Sequence, residues 1–171
     1  MGNVQVNQVV GRKQVRSTLA ALISPPAISG INQVFTSFPK RIDFQTNALP
    51  SQVHRCAAVI FIENETESRI ANGGAYSGWK RIDYSLAIQL FHHSLARNSE
   101  DAMDDLDEII DDLKLLLRGS GHRLGDDSGI LVWQGAEPEI DVTYGEPISQ
   151  KGTSTETWAT MRFMVTQMIQ A

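Results

Sequence analysis

The sequence predicts an α+β fold: a mostly antiparallel β-sheet with two α-helices packed on one face and a long β-hairpin loop. Three observations predict it. Ile82, Tyr84, Leu86, Ile88 and Leu90 alternate with polar or small residues, the period of a strand with one buried face. Met103, Leu106, Ile109, Ile110, Leu113, Leu116 and Leu117 form one stripe at helical spacing. Val15, Leu19, Leu22 and Ile23 form a second, shorter helical face. A sheet with one apolar face and two striped helices buries all three surfaces by stacking as two layers.

Taken in order, the first helix is expected over residues 4–23, with Gly11 its weak point. Pro25-Pro26 ends it, since neither residue can donate the helical hydrogen bond. Residues 27–52 are irregular, with a short strand possible over 31–38, and a stretch of this kind often marks a binding segment. The apolar run 57–63 reads as a buried strand. Residues 64–78 are polar, contain Asn72, Gly73 and Gly74, and read as the tip of a long hairpin whose second strand is the alternating one. The acidic helix spans 100–118. Ser99 is its expected N-cap, Glu100 and Asp101 suit its positive end, and Gly119 is a natural stop. Short strands are expected at 130–133 and 140–144, a second long polar loop at 145–156, and a closing strand over Ala159, Met161, Phe163 and Val165 that ends near Ile169.

The 171 residues suit a single domain with no internal repeat. Cys56 is the only cysteine, so no intrachain disulfide forms, and its place at the head of an apolar run predicts a buried thiol. No secretory signal is visible in the first residues, no apolar run is long enough to span a membrane, and Val6 stands where a myristoylation signal needs Ser or Thr. These features predict a soluble protein made in a reducing cytoplasm. The formal net charge of −5, with no basic patch, argues against a free-standing nucleic-acid binder.

That negative balance lies on one helix. Residues 100–118 carry eight acids against Lys114 and Arg118, leaving the rest of the chain close to neutral. Asp104, Glu108 and Asp111 or Asp112 share a face. Carboxylates in such number can bind a divalent cation, but an exposed helix face makes them diverge, so a solvated face or an electrostatic docking face fits better than a metal site. His92 and His93 are adjacent and point to opposite faces of a strand, while His54 and His122 are isolated, so no zinc motif exists. The Asn72, Gly73, Gly74 turn lacks a phosphate-loop pattern, and neither GxSxG nor HExxH occurs. No catalytic, cofactor or metal residue is therefore assigned, and the expectation is a non-enzymatic protein. Trp79, Trp133 and Trp158 sit near strand ends, where they either close the core or anchor an interface.

The order of these elements resembles the tail terminator family of long-tailed bacteriophages (siphophages). The resemblance rests on the N-terminal helix before a proline-containing loop, the strand 57–63 entering a polar hairpin, the GWKRIDYSLAIQLFHH segment, the amphipathic helix at 102–118 and the closing strand 158–168. It implies a homohexameric ring that caps the tail tube, joins it to the neck or connector proteins, and lets DNA pass through its bore without sequence-specific contact. The expected location is the virion, with no cofactor and no membrane. Inter-subunit or inter-ring contacts are then expected at Glu65, Glu67, Arg69, Asn72, Gly73, Tyr76, Trp79, Gln150 and Lys151, and bore-facing positions at Ser85 and Gln89. Another neck, head-closure or tail-tube subunit shares the same small α+β plan. From a different class, a metal-dependent enzyme built on the acidic helix remains the distant alternative.

Overall fold

The computed structural model describes residues 11–42, 44, 54–69, 78–95, 98–119, 131–133, 140–150 and 154–170. Among these, the chain forms α1 (Arg12–Ile23), β1 (Ile31–Phe35), β2 (His54–Arg69), β3 (Trp79–Ser94), α2 (Ser99–Gly119), β4 (Leu131–Trp133), β5 (Asp141–Tyr144), β6 (Ile148–Gln150) and β7 (Ser154–Gln170). One seven-stranded sheet runs β1-β2-β3-β7, and the short strands β4, β5 and β6 all pair with the free flank of β7. Every pairing is antiparallel except β1 with β2.

Period-2 alternation assigns the faces. Cys56, Ala58 and Ile60 of β2, Ile82 to Leu90 of β3 at alternate positions, and Ala159, Met161, Phe163 and Val165 of β7 fall in register on one face. They join Val15, Leu19 and Ile23 of α1 and Leu106, Ile109, Ile110, Leu113 and Leu117 of α2 in a single core. Both helices therefore lie on this face, α1 over β1 and β2, α2 over β3 and β7. Cys56 is fully buried, which pushes its thiol up to about 12 and keeps it protonated at neutral pH.

Several boundaries differ from expectation. Helix α1 starts at Arg12, not upstream of it. Gly11 is extended, and its carbonyl accepts the N–H groups of Gln14 and Val15, so it caps the helix where continuity was expected; residues 4–10 lie outside the described residues. The first turn of α1 has no side-chain cap and carries cations where the helix dipole disfavours them. Packing of Val15, Leu19 and Ile23, not local propensity, holds this helix. At its other end Ser24 is extended, as a residue before proline must be. In α2 the N-cap is Asn98 rather than Ser99: the Asp101 N–H donates to Asn98 Oδ1 (2.7 Å) and Asn98 Nδ2 donates back to Asp101 Oδ2 (3.0 Å). That reciprocal pair satisfies an orphan donor of the first turn.

The expected hairpin loop over 64–78 is shorter. Residues 64–69 are strand, paired with 80–85 across the hairpin, and 70–77 lie outside the described residues. Polar composition hid this strand because β2 leaves the core here, and most of its side chains meet solvent on both faces. Likewise the expected loop 145–156 contains β6 and the start of β7, paired through backbone bonds and polar residues, with no apolar alternation to reveal them. The irregular segment before β2 includes the parallel strand β1, reached through Gly30 at φ 92°, a conformation that favours glycine. No helix among the described residues is long and apolar enough to cross a membrane.

Burial separates neighbouring leucines of α2. Leu113 is fully buried and Leu115 is 69% exposed. Leu113→Ala is expected to cost about 2–5 kcal/mol, and Leu115→Ala no more than about 0.5, by urea denaturation monitored by circular dichroism.

Candidate functional site

The helix-free face of the sheet is the surface on which the sequence places its bore-facing candidates. Its near end is covered by the chain itself. Phe38 packs on Phe61 (ring centroids 5.2 Å apart), and Phe44 stacks on His93 (5.6 Å) while its carbonyl accepts from Arg55 Nη1 (2.8 Å). Ala57, Val59 and Ala87 are completely buried on this side. The described part of the irregular segment thus folds back on its own sheet.

The far end is a polar lattice. Strand β2 bulges at Glu63, which swings toward β7 and meets Arg162 Nε at 3.0 and 3.1 Å. The pair spans β3, whose Ser85 and Ala87 are small enough to let it pass. Arg162 Nη1 also reaches Thr143 Oγ1 of β5 (3.4 Å). Further along, Asp83 accepts from Arg81 Nε (2.8 and 2.9 Å) and from the Thr166 hydroxyl (2.6 Å). Ser85 therefore opens into a shallow depression of about 220 Å³ shared with Glu63, Asp141, Arg162 and Met164. Gln89 lies on the same face, partly exposed. Two ion pairs, Glu63–Arg162 and Arg81–Asp83, thus lie on this face, and exposed Asp141 borders the same depression.

The helix-facing side carries the charged contact candidates of β2. Glu65 takes an ion pair from Arg12 at the start of α1, and that carboxylate raises the guanidinium's pKa further. Glu67 pairs with Lys80 across the hairpin (2.6 Å). Arg69 is exposed at the end of β2, and Trp79 is 45% exposed at the start of β3. Gln150 pairs through its backbone with Ser154. Asn72, Gly73, Tyr76 and Lys151 lie outside the described residues. Arg12, Glu65, Glu67 and Lys80 are thus gathered along one side of a paired hairpin.

Other polar groups were not legible as a set. At the end of the apolar run His92 and Ser94 are buried on the helix side, facing Thr157 and Thr155. His92 Nδ1 lies 3.1 Å from Thr157 Oγ1, and the Ser94 hydroxyl donates to Asp105 Oδ2 (3.0 Å). Tyr84 donates to Gln167 Oε1 (3.1 Å). The signal was present: these residues continue the period 2 of β3 and β7 past the last apolar position. His93 points to the other face, where it lies 3.8 Å from Glu156.

On α2, Asp104, Glu108, Asp111 and Asp112 are exposed, Asp111 lying 3.4 Å from Lys114. Asp105 and Asp107 are engaged elsewhere, by Ser94 and by the Tyr144 hydroxyl (2.7 Å). Among the described residues, no three His, Cys, Asp or Glu side chains form a group able to hold a metal ion. Trp158 lies directly over Gly145, where a β-carbon would fall 1.8 Å from its Nε1, and its carbonyl accepts the Gly145 N–H (2.9 Å). Glycine is required there by space, not by φ.

No protein-family model matches the chain, and a search of curated proteins finds no matching relative.

Two outcomes follow from these contacts. Gly145→Ala must displace the Trp158 ring, at an expected cost of about 1–3 kcal/mol in urea denaturation. Partial burial, then the hydrogen bond to Asp107, pushes the Tyr144 hydroxyl from 10.0 up to about 12. A pKa raised by folding contributes stability that is complete below the unfolded value and lost as pH climbs through the folded one. The urea midpoint of the wild type should therefore fall more steeply between pH 10 and 12 than that of Tyr144→Phe.

Proposed function

We propose that the protein is a structural subunit of a long-tailed phage particle: a tail terminator whose copies form a ring on the end of the tail tube and join it to the neck. One observation carries the reading. Strands β2 and β3, sixteen residues each, form a long hairpin whose β2 strand leaves the core, with residues 63, 64 and 66–69 facing solvent while Ile82 and Tyr84 of β3 stay buried beside β7. The hairpin is not a loose loop. It is held by an antiparallel ladder with one bulge at Glu63 and by the Arg12–Glu65 and Lys80–Glu67 pairs. A pre-ordered polar hairpin grips a neighbour without the entropy cost of ordering a loop at the moment of contact.

The ion pairs on the helix-free face support the same reading. A bore that carries DNA works by passing phosphates without binding them, and pairing with Glu63 and Asp83 leaves Arg162 and Arg81 less free to grip that backbone. Ser85 and Gln89 are the bore-facing candidates on this surface. The acidic outer face of α2 is the docking face for basic partners in the neck. The hairpin equally suits another neck, head-closure or tail-tube subunit, and position in the particle distinguishes them.

Size-exclusion chromatography with light scattering is the test, on the protein alone and with purified tail tubes. The expected species is a closed multiple of the 18.9 kDa chain, near six copies, or a species bound to tube ends. A protein that stays monomeric at millimolar concentration and never docks on tubes overturns the proposal. Density for a ring at the tail–neck junction, fitted by this fold, selects the terminator over its neighbours.

A further inference from the structure

We propose that the groove between the C-terminal halves of α1 and α2 is a docking site for a basic amphipathic helix of a partner protein. The inference rests on the docking role given to the acidic face of α2 and adds the chemistry of what docks there.

The two helices cover different strands, α1 over β1 and β2 and α2 over β3 and β7, and a groove of about 420 Å³ opens between their C-terminal ends. Leu22 and Ile28 line it on one side, and Asp112, Leu115 and Leu116 on the other. Its floor belongs to the core: Ile28 is buried, and Leu22 and Leu116 pack against buried residues. Leu115 stands at the rim, 69% exposed, so the groove is open to solvent there. A lone exposed leucine is ordinary on a protein surface. This one borders a groove that is already apolar, and a ligand seated in the groove would cover it.

Charge identifies the occupant. Asp101, Asp105, Glu108, Asp112, Leu115 and Gly119 follow at steps of four and three, one stripe down α2 that ends in the groove. No base interrupts it. Lys114 and Arg118 fall on the other flank of the helix with Asp107, which meets Tyr144 of β5. Asp105 is held by Ser94 and Asp101 by Asn98, whereas Glu108 and Asp112 are exposed, and no base among the described residues pairs with them. On the α1 side, Gln14, Thr18 and Leu22 form the matching stripe and carry no charge. An apolar trough with one acidic wall and one neutral wall fits a segment that has an apolar face and lysine or arginine beside it. The same wall repels phosphate, so neither nucleic acid nor an anionic lipid surface fits.

Backbone chemistry makes that segment a helix. Both walls are helices whose backbone groups bond within the helix, so an extended segment finds no ladder to join. A helix brings its own hydrogen bonds and needs only side-chain contacts. From Glu108 to Gly119 the acidic and apolar part of the stripe covers roughly 17 Å, the length of about three helical turns.

Calorimetry with a designed peptide tests the site. The probe is a helix of about four turns with leucine on one face and lysine flanking it. Its controls carry glutamate in place of lysine, or serine in place of leucine. Micromolar binding is expected for the probe and not for either control. Leu115→Ser should weaken it at least about tenfold and Asp112→Asn at least about threefold, with affinity falling as salt rises. Asp111→Asn makes the same charge change beside Lys114, off the groove, and should alter affinity less than about twofold. All three positions are exposed, and the circular dichroism spectra should match the wild type. Failure of the lysine peptide to bind, or equal binding of the glutamate peptide, overturns the proposal. Equal losses in Asp111→Asn and Asp112→Asn, with none in Leu115→Ser, mark a diffuse charge attraction and overturn it as well. Self-association that Leu115→Ser abolishes, with no peptide bound, gives the groove to a second copy instead. A ring that assembles without peptide binding removes the groove and leaves the ring reading; a monomer on its own and on tail tubes that still binds peptide removes the ring reading alone.

Discussion

The fold depends on one strand. Strand β3 is hydrogen-bonded along its whole length on both flanks, to β2 on one side and β7 on the other, in a register running from Trp79–Gln170 to Ser94–Thr155. Its alternation sets which face of the sheet is apolar, and both partners inherit that choice because the period is two. A slip of one residue on either side would turn Leu86, Ile88 and Leu90 away from Met161 and Phe163, exposing one row of the core. The helices then have one surface to cover. Two helices with narrow stripes suffice, and their outer faces remain free for charge.

The two faces divide the protein's work. The helix side holds the stability: apolar for most of its length, it ends in a buried polar layer of His92, Ser94, Thr155 and Thr157, with Asp105 of α2 bonded to Ser94. Polar groups in that layer are tied to one another, so they specify where the helix sits instead of loosening the core. The other side is a surface. One end is closed by the chain's own Phe38 and Phe44, and the other carries ion pairs, Glu63–Arg162 across strands and Arg81–Asp83 along β3. Exposed pairs of this kind contribute little to stability, each about 0–1 kcal/mol. Their effect is on surface chemistry, cancelling charge that either sign of partner would otherwise feel.

The functional reading draws on how such surfaces are used. In the proposed role, a hairpin ordered by its backbone ladder and an acidic helix face would be the features that hold partners, and the hairpin is in place before a partner arrives.

Within the sequence, period alone identified α2, β3, β7 and the buried half of β2, because residues such as Leu106, Ile88 and Met161 are apolar at the spacing their element demands. It also placed His92 and His93 on opposite faces and Cys56 in the core. Where burial does not act on side chains, period is silent. The distal half of β2 and the whole of β6 are strands by backbone pairing, and their composition reads as loop. Contacts between residues far apart in the chain, such as Glu63 with Arg162, Tyr144 with Asp107 and Gly145 beneath Trp158, depend on which strands lie side by side. Local sequence carries the face each residue will take; only the assembled sheet decides which neighbours it meets there, because strand order is set by the packing of the whole core and not by any one segment.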